Sequence, residues 1–229
     1  MSEWLKLRAN DGHEFSAYEA LPTGPIKGGV VIIQEIFGVN AHIRSVVERY
    51  AAQGYHAIAP ALFDRVEPGV ELKYEGNDFQ QGIKLRMAIP DQDALMDIAA
   101  AFHHVGDTEA GAATVGFCYG GFMAWLCATR GSEAAGFSPR CTVGYYAGGI
   151  GNVAAETPKC PVMLHFGTDD DHIGKDQIDA VREAHPHVTI YLYEGAGHGF
   201  SCDARAGFNP SASSLAFERT IEFLGNNVG

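Results

Sequence analysis

The run Gly29-Val30-Val31-Ile32-Ile33 constrains the fold of this chain more than any other segment. Its apolar residues do not alternate with polar ones. A strand of that kind is buried on both faces, which calls for helices on both sides of a parallel sheet. The pattern that follows supplies them. Residues 41–53 read as a helix closed by Gly54, and Tyr55 to Ala59 as a strand stopped by Pro60. Asp91 to Val105 is helical in pattern, Ala113 to Gly116 is a short strand, and Phe122 to Thr129 is a helix. Cys141 to Tyr145 and Pro161 to Phe166 read as strands, Asp176 to Ala184 as a helix, Val188 to Tyr193 as a strand and Ser211 to Leu224 as a final helix. Upstream, Leu5-Lys6-Leu7 and Glu14 to Tyr18 flank the turn Asn10-Asp11-Gly12, a hairpin signal. The alternation predicts one α/β domain over residues 1–229, with a mostly parallel central sheet and helices on both faces. Residues 61–88 fit no regular element and read as an excursion above the sheet that lines a site.

Composition excludes several classes of function. Hydrophobic residues make up 46% of the 229 and charged residues 19%, so a large core can be buried. The net charge of −12 argues against a nucleic-acid partner, which needs a basic face. The N-terminus shows no basic stretch followed by an apolar run, and no apolar segment approaches the roughly 18 residues of a membrane span. The five cysteines (Cys118, Cys127, Cys141, Cys160 and Cys202) are odd in number and contain no CxxC pair. Neither a disulfide framework nor a zinc cluster is expected, and a reducing cytoplasm fits best.

Chemistry concentrates in Gly116-Phe117-Cys118-Tyr119-Gly120-Gly121, between a buried strand and a helix. A nucleophile on such a turn sits in strained backbone, so its close neighbours must lack a Cβ. The helix that starts there points free N–H groups and its positive end at the sulfur, which favours thiolate. A thiol also needs a base. His198, in Gly195-Ala196-Gly197-His198-Gly199-Phe200, follows a strand and lies in a loop too glycine-rich for a core. An acid between the two should orient the imidazole. The loop Gly167-Thr168-Asp169-Asp170-Asp171-His172 offers three aspartates at the end of another strand. The order nucleophile, acid, base is that of α/β-hydrolases. A metal loop is disfavoured here because the carboxylates are consecutive rather than spaced. His103-His104 and His185-Pro186-His187 read as surface residues near helix ends.

Glu35 closes the first buried strand, where a carboxylate is costly without a partner. Placing it in the site makes the Ile36 N–H one oxyanion donor and the Tyr119 N–H the other.

Taken together, Gln34-Glu35-Ile36-Phe37-Gly38-Val39-Asn40, Gly116-Phe117-Cys118-Tyr119-Gly120-Gly121, Gly144-Tyr145-Tyr146 and Gly197-His198-Gly199-Phe200 resemble the dienelactone hydrolase (carboxymethylenebutenolidase) family from about Asp11 to Leu224. The resemblance implies a single-domain α/β-hydrolase with a Cys-His-Asp triad, no cofactor and a small ester or lactone as substrate, acting as a monomer with a dimer as the alternative. It selects Asp170 as the acid, three residues after Gly167, and gives Glu35 the role of holding or activating the thiol. Phe37 and Tyr145, from the matched segments, are expected to contact substrate. The enzyme of chloroaromatic degradation binds its substrate carboxylate with two arginines. Here no arginine stands near Phe79-Gln80-Gln81, and Cys202 stands four residues after His198. Arg86 and Arg205 are the candidates to replace them. The alternative expectation is an α/β-hydrolase-fold protein that binds a small ligand without catalysis.

Overall fold

The computed structural model describes residues 1–106 and 109–229. Its centre is β3 (Gly29–Ile33), buried along its whole length. β3 pairs in parallel with β4 (His56–Pro60) on one side and β5 (Ala112–Phe117) on the other. The sheet continues in parallel through β6 (Thr142–Tyr145), β7 (Val162–Gly167) and β8 (Thr189–Tyr193). β1 (Ser2–Arg8) and β2 (Glu14–Ala20) form the expected hairpin and join antiparallel at the β4 edge. The eight strands run β1-β2-β4-β3-β5-β6-β7-β8. The chain steps outward from β3 to β4 and then returns across β3 to β5. That reversal opens a crevice at the carboxyl ends of β3 and β5, the place where open α/β sheets bind ligands.

Helices α1 (Ala41–Ala52), α3 (Asp91–Gly106), α4 (Tyr119–Ala134), α5 (Lys175–Ala184) and α6 (Pro210–Asn227) lie where the periodicity places them. Asn40 caps α1 by accepting the Ile43 N–H at 3.2 Å. Among the described residues no helix is long and apolar enough to cross a membrane.

The stretch 61–88 differs from expectation. It does run above the sheet, but it contains a helix, α2 (Asp78–Ala88). Only Gly82 and Leu85 of α2 are buried, so no apolar stripe of helical period marks it. Gly82 explains why the helix sits there at all. A Cβ at that position would collide with the Ile36 carbonyl oxygen, so glycine lets α2 close directly over the end of β3. The Gln34 amide oxygen accepts the Leu62 N–H at 3.1 Å and the Phe37 carbonyl accepts the Leu72 N–H at 2.9 Å. The excursion is thereby tied to the segment that carries Glu35. His185 also departs from its expected surface position. It is buried, with Nε2 2.8 Å from the Ala154 carbonyl oxygen, because α5 tucks its end under the 150–154 turn.

Candidate active site

Cys118 sits between β5 and α4 with φ 54° and ψ −113°, a conformation costly for any residue with a side chain. Close packing holds it there. A Cβ at Gly116 would overlap the Gly120 carbonyl oxygen, one at Gly120 would overlap the Ile33 carbonyl oxygen, and one at Gly121 would stand 2.6 Å from the Tyr145 carbonyl oxygen. The Cys118 N–H is anchored to that same Tyr145 oxygen at 3.0 Å. α4 starts at the next residue without a capping side chain, which leaves its first N–H groups directed at the site.

Loops after β7 and β8 bring two further side chains to the sulfur. His198 Nε2 lies 3.2 Å from Cys118 Sγ, and His198 Nδ1 lies 2.9 Å from Asp170 Oδ2. The second Asp170 oxygen accepts the His172 and Ile173 N–H groups at 2.9 and 3.0 Å. Asp170 is therefore fixed from both sides. Its neighbours point elsewhere: Asp169 accepts the Thr168 hydroxyl at 3.0 Å, and Asp171 is exposed. Burial of His198 opposes its charge, but hydrogen bonds to Asp170 and Cys118 outweigh that and raise its pKa to about 10. Burial likewise opposes the Asp170 charge, yet its bond to His198 holds the carboxyl below the usual range. An imidazolium between a carboxylate and a sulfur is the favoured arrangement at neutral pH.

Glu35 is fully buried behind this row. Neither of its carboxylate oxygens has a hydrogen-bond partner among the described residues. Arg205 brings a compensating charge, its Nη1 3.5 Å from Oε1. Glu35, His42 and Cys202 place ligand-type atoms within 4.8 Å of one another. Burial pushes the Cys202 thiol up to about 12, so it stays protonated, and Arg205 already answers the carboxylate. The set is better suited to holding a charge than to holding a metal. The Ile36 and Tyr119 N–H groups flank Cys118 and donate to no group among the described residues.

Cys118, Ile36, Tyr119, Arg86, Phe122 and Asn152 line a cavity of about 340 Å³. A larger one of about 740 Å³, lined by His42, Tyr74, His198 and Arg205 among others, opens on the far side of His198. Arg86 thus lines the cavity that Cys118 opens on, and Arg205 lines the one that borders His198. Arg86 is bound to Asp91 at 2.8 Å and lies 4.5 Å over the Tyr119 ring.

Two expected substrate contacts are corrected. Tyr145 points into the core, where its hydroxyl meets Thr220 Oγ1 at 2.6 Å and its ring stacks on Phe117. Phe37 is 2% exposed beneath Tyr74 and lines neither cavity. The residue missed is Tyr146. Its φ of 37° turns the chain out of β6, its ring packs 5.1 Å from that of His198, and its hydroxyl bonds Ser201 at 3.0 Å. The Tyr145-Tyr146 pair pointed to the place, but the strand's alternation sends the first tyrosine inward. The unusual φ of the second is invisible in sequence.

A mostly parallel sheet, a strained cysteine turn after its fifth strand and a histidine after its last define an α/β-hydrolase fold. The sequence profile described as the dienelactone hydrolase family matches residues 15–228. The carboxymethylenebutenolidase of Pseudomonas putida is 33% identical, covering 98% of this chain and 96% of its own. A crystal structure from Klebsiella pneumoniae, provisionally assigned as a dienelactone hydrolase, superposes with a TM-score of 0.80 at 27% identity over 98% of both chains. A dienelactone hydrolase-like promiscuous phosphotriesterase from metagenomic libraries shares the fold, with a TM-score of 0.79 at 17% identity over 100% of this chain and 99% of its own. The chain belongs to the dienelactone hydrolase family, a family of carboxylic ester hydrolases acting on small molecules.

Proposed function

We propose that the protein hydrolyses small esters or lactones through a thioester on Cys118. The observation that carries this reading is the continuous row of Cys118 Sγ, His198 and Asp170 at 3.2 and 2.9 Å, opening on a cavity. The Cys118 thiolate adds to the carbonyl carbon, and the resulting oxyanion takes hydrogen bonds from the Ile36 and Tyr119 N–H groups. Collapse breaks the C–O bond while His198 Nε2 gives its proton to the departing alkoxide. In a lactone that alkoxide stays tethered and the ring opens. Water then attacks the thioester, His198 takes its proton, and the acid leaves as the thiolate is restored. Asp170 keeps the imidazole in place and balances its charge. The name of the Pseudomonas putida relative supports a lactone among the substrates. Arg86 lines the Cys118 cavity and is the cation there to meet an anionic group on a substrate, sharing its charge with Asp91 as Arg205 shares its own with Glu35. No cofactor enters this scheme. A cytoplasmic location accompanies the reading, supported by five free cysteines.

Iodoacetamide tests the reading directly. Burial raises the pKa of Cys127, Cys141, Cys160 and Cys202, Cys160 and Cys202 to about 12, so those thiols should react slowly. One equivalent is expected to label Cys118 alone and to abolish hydrolysis of p-nitrophenyl acetate in step with labelling. Full activity in protein labelled at Cys118 would overturn the mechanism.

Glu35→Gln separates function from stability. A buried carboxylate without hydrogen bonds is a cost to the fold, and Arg205, partly in solvent and stacked near Phe37 and Tyr74, loses little when the charge goes. The variant is expected to be more stable by about 1–2 kcal/mol in urea melts, with lower kcat. A variant less stable than wild type would mean that the Arg205 pair outweighs the burial cost.

A further inference from the structure

We propose that Glu19, His56 and His104 form a binding site for a divalent transition-metal ion, separate from the active site. The active site occupies the carboxyl ends of the parallel strands. His56 opens β4 and therefore lies at the opposite, amino-terminal end of the parallel strands. Glu19 is the partner of Ile58 across the β2–β4 pair, two residues from His56, so the two side chains share one face of the sheet. The last turn of α3 lies over that face and adds His104. Three elements, far apart in the chain, thus converge.

The geometry resembles a ligand set more than an ordinary ion pair. His56 Nε2 is 2.5 Å and His104 Nε2 is 2.7 Å from the same oxygen, Glu19 Oε1. Here both imidazoles turn the same nitrogen to one point, and the three ligand atoms lie within 4.8 Å of one another. Tetrahedral zinc with bonds of about 2.0–2.2 Å keeps its ligand atoms about 3.3 Å apart, so small side-chain rotations would admit the ion. Two histidines and one carboxylate are a known zinc set that leaves a fourth position for water. The side chains of Glu19 and His56 are 11% and 15% exposed, while that of His104 is 35% exposed and gives the ion a way in. The chain's net charge of −12 favours a cation. Bound metal would clamp α3 to the β2–β4 edge and act on stability, not on hydrolysis.

The test uses EDTA-treated Cys118→Ala protein, so that the accessible thiol does not compete, titrated with ZnCl2 by calorimetry and thermal melts. One equivalent is expected to bind. At a hundredfold excess over Kd the melting temperature should rise by about 5–10 °C. His104→Gln, which can still hydrogen-bond Glu19 but ligates poorly, should weaken zinc binding at least about 100-fold and remove the shift, and His56→Gln should do the same. Cobalt(II) should give visible d–d bands of a tetrahedral site that His104→Gln loses. His104→Gln in the wild-type background should keep full esterase activity. A zinc shift that is absent, that survives in His104→Gln, or that depends on Cys202 instead overturns the site.

Discussion

Cys118→Ala is expected to lower the rate of ester hydrolysis by about 10³–10⁶-fold while leaving the fold intact. The rate loss follows from removing the sulfur that lies 3.2 Å from His198 Nε2 and lines the cavity. The fold survives because the turn is held by glycine packing and by the Cys118 N–H bond to Tyr145, neither of which needs the sulfur. The same residue has a second, thermodynamic signature. Its φ of 54° costs an alanine as much as a cysteine, whereas glycine adopts positive φ freely. Cys118→Gly should therefore be more stable than Cys118→Ala by about 1 kcal/mol, although both are inactive. Steady-state rates on an activated ester and urea melts of the two variants check both statements. Equal stability would mean that the turn relaxes around alanine and stores no strain.

Gly120→Ala is expected to damage fold and activity together, with a loss of about 3 kcal/mol or more and of at least about 100-fold in kcat. The added methyl would meet the Ile33 carbonyl oxygen and stand 2.7 Å from the Gln34 carbonyl oxygen. Ile33 ends β3, where β5 pairs with it, and Gln34 follows directly, so the obstacle is backbone that cannot step aside. α4 must lift instead, and it carries the Tyr119 N–H and the Cys118 turn with it. Gly225→Ala is the matched control. That glycine lies on the exposed side of α6, where an added methyl would have nothing within 4 Å, so the change should stabilise by about 0.5–1 kcal/mol. Thermal melts and kcat of both variants decide it. Gly120→Ala with wild-type stability would show that the elbow is loosely packed.

The parallel sheet was legible because burial on both faces leaves an apolar run, and β3 is such a run. The strained cysteine turn was legible because close backbone approach excludes Cβ atoms at Gly116, Gly120 and Gly121. α2 was not legible, since a helix that lies over the site with only Gly82 and Leu85 buried carries no amphipathic stripe. Tyr145 and Tyr146 show the limit most sharply. The pair marked the right place, but which ring faces His198 depends on one backbone angle beyond the strand.

By itself, then, the sequence determined the α/β layers, the cysteine turn and the histidine loop, because each is written in local spacing and in the absence of side chains. Choosing among Asp169, Asp170 and Asp171 from residues alone was impossible, because all three share one loop and one chemistry. The family resemblance selected Asp170, and the tertiary structure sets that carboxylate against the imidazole; only the tertiary structure decided that Arg205 faces Glu35 while Arg86 faces the Cys118 cavity, and that Glu19, His56 and His104 meet at the other end of the strands. These are contacts between residues far apart in the chain. They depend on how strands and helices are laid beside one another, which no local pattern records.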